Sequence, residues 1–484
     1  MKFIIKLHPE IVIKSKSVRK RFTRLLEGNI RLVFKRNQLS VEVRHSWDKL
    51  LLLVNPSANA RIDEVTDLLK RIPGINQILE VQESEFVDLE DIYLQVKHVW
   101  QYKLAGQSFA VKVRRRGQHA FTSLDAAAYV GGRLFEHCNT GPIKLNNPQV
   151  TIDLEILEQK LVLNHQRIKC LGGMPLPSQE DVLSLISGGF DSTVASYQLI
   201  RRGARTHFCF FKLGGREHEI GVKQVSYYLW KRFSESHKVK FVMLDFASVV
   251  NEIVDKVDNK QMGVVLKRMM VRAASLVADK LAINALVTGE CIGQVASQTI
   301  SNLQIIDQAS DKLIIRPLVC MDKSDIIDIA RHIGTEDFAK VMPEYCGIVS
   351  RKPTVKAVLN NIIKEETKFD FTLLEQAVDT AEFKDIRSVV NEYAEEIESV
   401  DSVSFLPQGS VVIDIRAYEE QEHMPLTLTN IDVLNIPFFK LANQLSHLDR
   451  EQFYYLYCAK GVMSQLQALL LHEQGYKNVH VYRP

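Results

Sequence analysis

The sequence lacks the short motifs that mark the commonest metal sites. Its 484 residues contain no C-x-x-C and no H-E-x-x-H, so neither of these zinc-ligand patterns is present. The seven cysteines are an odd number, and no secretory signal precedes them, which argues against a disulfide framework. We therefore predict a chain without a resident metal ion of its own.

Long apolar runs and a strong charge imbalance are also missing. No segment approaches the roughly 20 apolar residues that span a bilayer, and the N-terminus carries charges throughout instead of a signal-peptide pattern. The formal net charge is +3, so any nucleic-acid binding must come from local clusters of cations. We expect a cytoplasmic protein with no membrane partner and, from its length, about three domains.

Residues 1–60 are predicted to form a ferredoxin-like domain in which a basic helix lies between strands. The segments KFIIKLH and LSVEVRHSWDKLLLLVN have the pattern of strands, and KSVRKRFTRLLEGNIRLVFKR has helical periodicity. The helix is crowded with cations, of which Lys20, Arg21 and Arg24 are candidate contacts to nucleic-acid phosphates. A solvated helix face would show the same pattern.

A second basic cluster lies in SFAVKVRRRGQHAF, where alternation places cations opposite Val111 and Val113. Its candidate contacts to a nucleic-acid backbone are Lys112, Arg114, Arg115 and Arg116. This cluster, the helix pattern SLDAAAYVGGRLFEH, the strand pattern NNPQVTIDLEIL and LGGMPLP resemble a THUMP domain, an RNA-binding module of several tRNA-modifying enzymes. The resemblance implies an RNA-binding domain over residues 61–167.

Between residues 176 and 396, apolar strands alternate with helices, which predicts a doubly wound parallel sheet covered on both faces. The strands are VLSLI, THFCFFKL, VKFVMLDF, INALVTGE and KLIIRPL. Ligands of such sheets bind outside the carboxyl ends of the strands. Residues 371–401 are expected to form an acidic, helix-prone connector, and residues 405–484 a second, smaller α/β domain.

The segment Ser187–Ser192 follows the first of these strands and precedes a helix. Its glycines let consecutive backbone N–H groups turn toward one point, and Ser187 and Ser192 add hydroxyls, so the loop is suited to bind phosphate. Neither G-x-x-x-x-G-K-[ST] nor G-x-G-x-x-G occurs. Asp191 offers the oxygen ligand that a Mg²⁺ ion on the phosphates prefers. A tight turn without a ligand is the alternative.

A strand followed by SGGFDS resembles the PP-loop of the ATP pyrophosphatases, a family that cleaves ATP to AMP and pyrophosphate. The resemblance implies that ATP is bound at this loop. The nucleotide contacts that it implies are Ser187, Gly188, Gly189, Asp191 and Ser192. Leu185 and Ile186 resemble nucleotide-contacting positions of the 4-thiouridine synthases.

Other residues near strand ends complete the predicted nucleotide site. Gly289 would leave room for the base or ribose, Gln298 follows in the next loop, and Lys267 would supply a cation for phosphate. An ordinary turn glycine and a solvated lysine are the alternatives. The segments G-E-x-x-x-Q-V-A-S-Q and L-K-R-x-M resemble ATP-site elements of the 4-thiouridine synthases. By the same resemblance, Lys323 would be an essential lysine that offsets charge at the reacting phosphate.

Cys458 ends the apolar strand FYYLYC and opens C-A-K-G-V-M-S ahead of a helix. A helix N-terminus and a neighbouring lysine favour the thiolate, the form of cysteine that carries sulfur, whereas a buried structural cysteine is the alternative. The loop resembles the active-site loop of rhodanese domains, and the segment 414–416 resembles the D-[VI]-R after their early strand. Met463 and Ser464 stand where many rhodaneses have an arginine, so thiosulfate is not the expected sulfur source.

Cys346 lies in the loop segment MPEYCGI, and the resemblance to the 4-thiouridine synthases makes it the partner of Cys458. The Cys458 persulfide would attack the adenylated base, and Cys346 would then form a disulfide with Cys458. A disulfide requires Cα atoms about 5.5 Å apart, so the C-terminal domain is expected to move inward. Cys209, in the apolar run HFCFF, is expected to fill the core.

The four predicted domains together resemble the long form of the tRNA uracil 4-sulfurtransferases over the whole chain. The resemblance implies ATP-dependent thiolation of the uridine at position eight of tRNA, with Mg²⁺ accompanying ATP and a cysteine desulfurase as persulfide donor. It extends to sulfur donation for the thiazole of thiamine, through a sulfur-carrier protein, and leaves a homodimer open. The alternatives are an RNA-binding sulfur carrier without adenylation activity, a PP-loop ligase with no use for Cys458, and a thiosulfate sulfurtransferase.

Overall fold

The computed structural model divides the chain into two compact units, Met1–Pro175 and Leu176–Pro484. The residues that it describes are 2–45, 49–54, 62–213, 215–340, 342, 353–389, 402–407, 409–416, 421–422, 424–438, 441, 444, 449–450, 452–458, 462–473 and 475–484. Each unit has its own hydrophobic core.

The first unit is a seven-stranded sheet with helices packed on it. The strands are β1 (Lys2–Leu7), β2 (Val41–His45), β3 (Lys49–Val54), β4 (Ile75–Glu85), β5 (Phe109–Arg116), β6 (Val150–Leu157) and β7 (Lys160–Lys169). The helices are α1 (Pro9–Val12), α2 (Lys16–Arg36), α3 (Ile62–Lys70), α4 (Leu89–Trp100) and α5 (Ser123–His137). The strand order is β2-β3-β1-β4-β7-β6-β5, and only the β5–β6 pair among these seven strands is parallel.

Helix α2 buries an apolar stripe against the sheet. Phe22, Leu26 and Ile30 recur at helical spacing and belong to the same core as Phe3 and Ile5 of β1. The intervening residues of β1 point to the opposite face, because successive side chains alternate across a strand. The predicted basic helix between strands is confirmed.

Strand β4 belongs to both halves of this sheet. It pairs with β1 along one edge and with β7 along the other. The predicted ferredoxin-like and THUMP domains therefore share one continuous backbone hydrogen-bond ladder. Helix α3, which follows residue 60 in sequence, packs through Val65 and Leu68 into the same core as α2. The boundary at residue 60 stays a prediction.

The second unit begins with a six-stranded sheet of the predicted doubly wound type. Its strands are β8 (Val182–Leu185), β9 (Thr206–Lys212), β10 (Lys240–Asp245), β11 (Ala285–Val287), β12 (Leu313–Ile315) and β13 (Glu382–Asp385), in the order β12-β11-β8-β9-β10-β13. Strand β9 has six consecutive buried residues, because both faces of a central parallel strand are covered by helices.

The helices of this part lie between and after the strands. They are α6 (Phe190–Arg201), α7 (Arg216–Leu229), α8 (Ala247–Lys256), α9 (Met262–Lys280), α10 (Ile300–Asp307), α11 (Lys323–Ile333), α12 (Glu336–Lys340), α13 (Leu359–Glu366) and α14 (Phe371–Asp379), with a π-helix at Trp230–Ser234 and a 3-10 helix at Ala296–Gln298. Strands β8 to β12 pair in parallel, so their carboxyl ends share one edge.

The prediction for residues 371–401 was partly wrong. Helix α14 forms as expected, but β13 follows it and pairs antiparallel with β10 at the edge of the sheet. Its sequence EFKD has little strand propensity. The strand forms because the open edge of β10 offers backbone hydrogen-bond partners. The sequence around β13 alone does not reveal this long-range pairing.

The remaining sheet of the second unit has five parallel strands in the order β14-β18-β17-β15-β16. These are β14 (Ser402–Val403), β15 (Val411–Asp414), β16 (Asp432–Asn435), β17 (Tyr454–Tyr457) and β18 (Val479–Tyr482), with helix α15 (Val462–Glu473) between β17 and β18. Strand β16 lies at the edge of this sheet and pairs in parallel with β15. No helix in the described part of the chain is long and apolar enough to cross a membrane.

Candidate functional site

The loop between β8 and α6 has the geometry of an anion cradle. Gly188 has φ +84°, a conformation that glycine adopts without strain. Helix α6 begins at Phe190, and its N-cap residue Gly189 offers no side chain to the first N–H groups. These donors therefore remain available to a ligand at the positive end of the helix dipole.

Two serine side chains brace this loop. The backbone N–H of Ser187 donates to Ser192 Oγ at 3.1 Å, and the two hydroxyl oxygens lie 3.2 Å apart. Of the two predicted contacts before the loop, Ile186 is buried and Leu185 is half-buried. The Ile186 N–H donates to the Cys209 carbonyl at 2.9 Å, which extends the β8–β9 ladder up to the loop.

Asp191, on the first turn of α6, is held by two side chains from distant segments. Lys323 Nζ lies 2.7 Å from its Oδ1, and Gln294 Nε2 donates to its Oδ2 at 2.9 Å. The Lys323 ammonium also lies 5.6 Å from the ring centre of Phe190. The structure thus brings the predicted residues Asp191 and Lys323 together. Gln294 was missed, although it is the first glutamine of the quoted G-E-x-x-x-Q pattern.

Gly289 lies directly against the first turn of α6. A Cβ atom at this position would stand 2.5 Å from the Asp191 carbonyl carbon and 2.7 Å from the Ser192 nitrogen. Real side chains do not approach a backbone so closely. The space beside Gly289 is therefore occupied by the backbone of helix α6. The sequence had suggested that this space would hold the base or ribose of the nucleotide.

Lys267 is paired with a buried glutamate. Its Nζ donates to Glu290 Oε1 at 2.7 Å, and Arg316 Nε donates to Glu290 Oε2 at 2.9 Å. Burial alone would raise the pKa of Glu290, but the Lys267 and Arg316 cations outweigh it and lower that pKa below its ordinary value. Glu290 and Arg316 were missed, and their signal was their position just beyond strand ends, three residues after β11 and one residue after β12.

Gln298 ends the 3-10 helix and faces the same loop. Its Oε1 accepts a hydrogen bond from the Cys291 N–H at 3.2 Å, and its own carbonyl accepts from the Gly293 N–H at 2.9 Å. This residue therefore fixes the loop that carries Gln294. The structure assigns it a part in shaping the site, through contacts made inside the protein.

Cys458 lies at the carboxyl end of β17, on the edge of the five-stranded sheet where ligands of parallel sheets bind. The N–H of Ser464, in the first turn of α15, donates to Cys458 Sγ at 3.3 Å, and Ser464 Oγ lies 3.5 Å from the sulfur. Both groups can stabilise a thiolate. Ser464, noted in the sequence only as a departure from the rhodanese pattern, is therefore a functional candidate.

The segment 414–416 forms a buried ion pair beside this sulfur site. Arg416 Nε donates to Asp414 Oδ1 at 2.9 Å, and the Arg416 guanidinium lies 5.1 Å from the ring centre of Tyr457, the neighbour of Cys458. Gln421 Nε2 donates to the Asp414 and Arg416 carbonyls at 2.8 and 2.9 Å. The ion pair and the Gln421 hydrogen bonds together hold the backbone in place at the carboxyl end of β15.

The other cysteines divide by environment. Cys346 lies outside the described residues, as do residues 459–461 of the loop after Cys458. Cys209 is fully buried, which raises the pKa of its thiol and agrees with the predicted role in the core. Cys320 is exposed and Cys291 is buried, and within the described chain no cysteine forms a disulfide. Nor do the described side chains contain a group of three or more metal ligands.

The two predicted basic clusters lie on opposite faces of the first unit's sheet. Lys20, Arg21 and Arg24 are exposed on α2. Lys112 and Arg114 line a groove on the face away from the helices. The other residues that line this groove are Ile4, Lys6, Leu7, Val12, Lys49, Leu79, Asp153, Leu154, Glu155, Asn164 and Arg167.

Positive charge is concentrated in this basic groove. Burial lowers the pKa of Lys6, and the nearby charges of Arg167 and Arg114 lower it further. Arg116 is exposed at the end of the same strand. Arg115 points elsewhere: its guanidinium donates to the Gly117 carbonyl at 3.0 Å.

Four protein-family models match consecutive parts of the chain. They are the ThiI ferredoxin-like domain at residues 2–78, the THUMP domain at 86–164, the thiamine biosynthesis protein ThiI at 177–371 and the rhodanese-like domain at 390–483. These matches confirm the predicted fold class.

Curated relatives match the chain from end to end. Proteins of Shewanella loihica, Aeromonas salmonicida and Edwardsiella ictaluri, each named tRNA sulfurtransferase, are 53%, 54% and 54% identical to it. Each match covers 100% of this chain and 100% of the relative.

Two solved structures share the fold at lower identity. A 4-thiouridine synthetase in complex with RNA and bound ATP has a TM-score of 0.69 and 24% identity, and the match covers 79% of this chain and 99% of that one. A Pyrococcus horikoshii protein has a TM-score of 0.51 and 18% identity, with 69% and 100% covered.

Proposed function

This chain belongs to the tRNA sulfurtransferase family, and we propose that it uses ATP to activate a uridine of tRNA and then replaces the O4 oxygen of that uridine by sulfur. The observation that carries this proposal is the pairing of two sites on one chain. One is the anion cradle with Asp191 held by Lys323, and the other is Cys458 under the N–H of Ser464. The cytoplasm is the location that we expect for this reaction.

Adenylation is the first step, because oxygen on C4 of uracil is a poor leaving group. Uracil O4 attacks the α-phosphorus of ATP, the bond to the bridging oxygen breaks, and pyrophosphate leaves with the electron pair while N3 loses its proton. The cradle donors and Lys323 would stabilise the charge that develops on the phosphates. The likeness in fold to the 4-thiouridine synthetase with bound ATP supports this assignment.

The residues of the cradle also fit a magnesium ion accompanying ATP. Mg²⁺ in such sites is bound through one or two carboxylates together with substrate phosphates, and it neutralises phosphate charge. Asp191 is the carboxylate that would hold it, because it lies on the first turn of α6 beside the cradle. Its link to Lys323 and Gln294 would fix the direction of that carboxylate.

Sulfur transfer follows at C4. A persulfide on Cys458 attacks C4 through its terminal sulfur, and AMP leaves with the electron pair of the C4–O bond. Cys346 then attacks Cys458 Sγ and breaks the sulfur–sulfur bond, so that the transferred sulfur stays on C4 and the N3 position regains a proton. The products are 4-thiouridine and a Cys346–Cys458 disulfide, which an external thiol reduces in a two-electron step.

The finer assignments follow from the family and from the residues together. We propose the uridine at position eight as the target, a cysteine desulfurase as the donor that loads Cys458, and thiamine thiazole sulfur, passed through a sulfur-carrier protein, as a second destination. A homodimer belongs to the same set of proposals. The basic groove with Lys112 and Arg114, and the α2 face with Lys20, Arg21 and Arg24, are the proposed contacts to tRNA phosphates.

The test combines unmodified tRNA, ATP, Mg²⁺ and a cysteine desulfurase with cysteine. We expect one 4-thiouridine per tRNA, found by nucleoside mass spectrometry, and AMP formed in equal amount. A Cys458→Ser variant should lose thiolation, whereas Cys320→Ser, at an exposed cysteine, should keep it. AMP formation without thiolation under these conditions, or full activity in Cys458→Ser, would contradict the proposal.

The same reaction separates the remaining alternatives. An RNA-binding sulfur carrier would become persulfidated at Cys458 without releasing AMP. A tRNA with the uridine at position eight replaced by cytidine should not be thiolated. Peptide mapping after one turnover without reductant should recover a Cys346–Cys458 peptide, and its absence would remove the disulfide step.

A further inference from the structure

The carbonyl group of Ser187, in the anion cradle, is bonded to a buried histidine of helix α7. His218 Nε2 lies 3.0 Å from this carbonyl oxygen. A carbonyl oxygen only accepts hydrogen bonds, so Nε2 carries the proton and donates it. His218 is 4% exposed, and its ring lies edge-on to that of Phe210, with 5.1 Å between the ring centres. A buried imidazole therefore holds the cradle from the side of α7.

Burial keeps this imidazole uncharged. It lowers the pKa of His218, and the bond to the Ser187 carbonyl opposes that effect only in part. The ordinary histidine pKa is about 6.5, so the ring is neutral near pH 7. His218 therefore fixes the carbonyl group without adding a positive charge to the site.

The bond to His218 sets the direction of the next N–H group. The peptide bond between Ser187 and Gly188 is trans, and the C=O and N–H groups of a trans peptide point in opposite directions. Since the Ser187 carbonyl points toward α7, the Gly188 N–H points away from that helix. Gly188 is buried, and within the described part of the chain its N–H donates to no protein acceptor. A phosphate oxygen would satisfy this donor.

The glycine at position 188 makes an outside hold necessary. Its φ is +84°, and glycine adopts positive and negative φ with similar ease. The peptide before it could therefore rotate at little steric cost, which would turn the Ser187 carbonyl into the cradle. A carbonyl oxygen carries partial negative charge and would repel a phosphate there. The hydrogen bond from His218 opposes this rotation.

Helix α7 is held in place beside the cradle. Glu219 Oε2 lies 2.9 Å from Nζ of Lys212, the last residue of β9, so an ion pair ties the helix to the sheet. Val222 lies one turn after His218 and faces the same loop, because a Cβ atom at Gly188 would stand 3.1 Å from Val222 Cγ2. One face of α7 therefore supports the cradle.

We propose that His218 is a positioning residue for adenylation. Its hydrogen bond to the Ser187 carbonyl keeps the Gly188 N–H directed at a phosphate of ATP. This inference rests on the proposed function, because that function puts the phosphates of ATP in the cradle. His218 acts through the backbone of the loop, and the Gly188 N–H is the group that contacts the phosphate.

The test compares two replacements of His218 in the full-length protein. His218→Leu removes the donor, whereas His218→Gln keeps an N–H donor near the position of Nε2. Competition against radiolabelled ATP in equilibrium dialysis, with Mg²⁺ present, measures the binding of pyrophosphate and of adenosine separately. We expect His218→Leu to weaken pyrophosphate binding at least about 10-fold and adenosine binding by less than about two-fold, because only a hydrogen bond to phosphate is misdirected. His218→Gln should bind pyrophosphate within about three-fold of the parent protein.

A second buried histidine provides the matched control. His207 lies near the amino end of β9, away from the carboxyl edge that carries the cradle, and its Nδ1 accepts from the Lys240 N–H at 2.9 Å. His207→Leu also removes a buried imidazole and should lower the melting temperature, but it should leave pyrophosphate binding unchanged. Equal weakening of pyrophosphate binding in His207→Leu and His218→Leu would overturn the inference, since the cause would then be a general loss of stability.

The remaining outcomes separate this inference from the proposed function. If the parent protein binds neither ATP nor pyrophosphate, the proposed function fails and this inference fails with it. If the parent binds both and His218→Leu binds pyrophosphate equally well, only the role of His218 is refuted. Equal losses for adenosine and pyrophosphate, or a glutamine variant as weak as the leucine variant, would also refute that role.

Discussion

The ammonium group of Lys323 lies 2.7 Å from Asp191 Oδ1, although 132 positions separate the two residues in sequence. Lys323 opens α11, and Asp191 lies in the first turn of α6. Both side chains retain contact with solvent, at 44% and 23% exposure. An ion pair in this setting contributes little to folding, so its expected value is functional.

We expect Lys323→Met to lower tRNA-dependent AMP formation by about 10²-fold or more, because a preorganised cation at the reacting phosphate is lost. The melting temperature should hardly change. The matched control is Lys280→Met, at a lysine with 42% exposure that pairs with Asp379 at 3.0 Å. Equal activity losses in both variants would assign the effect to general charge instead of position.

Gly289→Ala should weaken ATP binding by distorting the first turn of α6. The added methyl group would stand 2.5 Å from the Asp191 carbonyl carbon, so the helix or the β11 loop must shift. We expect at least about a 10-fold rise in the Kd for ATP, measured by calorimetry, since the cradle N–H groups lose their alignment. Gly263→Ala, with nothing near its Cβ position, should leave this Kd unchanged.

Ser464→Ala should slow sulfur transfer while leaving adenylation intact. The variant removes the hydroxyl 3.5 Å from Cys458 Sγ but keeps the N–H that donates to the sulfur. Hydrogen bonds to charged groups contribute about 1.5–3 kcal/mol, so we expect about a 10- to 100-fold slower single-turnover thiolation. Ser410→Ala removes a buried hydroxyl that donates to the Pro407 carbonyl in the same domain, and it should retain the parent rate.

The Glu290 network predicts a pH-dependent contribution to stability. Because Lys267 and Arg316 lower the pKa of this buried carboxyl despite its burial, its carboxylate stabilises the fold above the ordinary glutamate pKa of about 4.3. That stabilisation is lost as the pH falls through the lowered pKa. Glu290→Gln should therefore cost about 3 kcal/mol near neutral pH, and the cost should shrink in acid.

Scanning calorimetry from about pH 7 down to about pH 2 measures this difference between parent and variant, because the loss falls below the ordinary glutamate pKa. Glu382→Gln breaks an exposed pair with Lys384 at 2.6 Å and should cost less than about 1 kcal/mol at every pH. If the stability lost in Glu290→Gln became larger in acid, the Glu290 carboxyl would be protonated in the folded protein, which would contradict the prediction.

The basic groove predicts a change in the salt dependence of tRNA binding. Replacing Lys112 and Arg114 by glutamine should weaken binding and lower the slope of log K against log salt by about 2, since each phosphate contact contributes about 1. Arg44→Gln removes an exposed cation that pairs with Glu42 on β2 and should leave the slope unchanged. Filter binding over a range of salt concentrations distinguishes the two.

Contiguous patterns predicted the local structure of the candidate site. The loop Ser187–Ser192 could be read directly, because a strand, a glycine turn and a helix follow one another in the chain. Gln294, Glu290 and Arg316 were missed because their partners lie in other segments of the chain, at Asp191, Lys267 and Glu290 respectively. A single sequence does not report which strand ends meet.

Glycines illustrate the same limit. Sequence reasoning found Gly289 but expected a ligand beside it, whereas the structure puts the backbone of α6 there. Gly221 attracted no attention, because Met342, whose side chain occupies the space of a Cβ atom at Gly221, lies 121 positions later in the chain (342 minus 221). Strand β13 was missed for the same reason. It forms against the open edge of β10, which lies far from it in the sequence.

The seven-stranded sheet of the first unit has a consequence for any shortened form of this protein. Because β4 is hydrogen-bonded to β1 and to β7, a cut between the ferredoxin-like and THUMP segments would expose two unsatisfied strand edges. Exposed edges invite aggregation. We therefore expect a usable fragment to keep residues 1–175 whole, with the cations proposed to contact phosphate in the basic groove held at a fixed spacing by one rigid sheet.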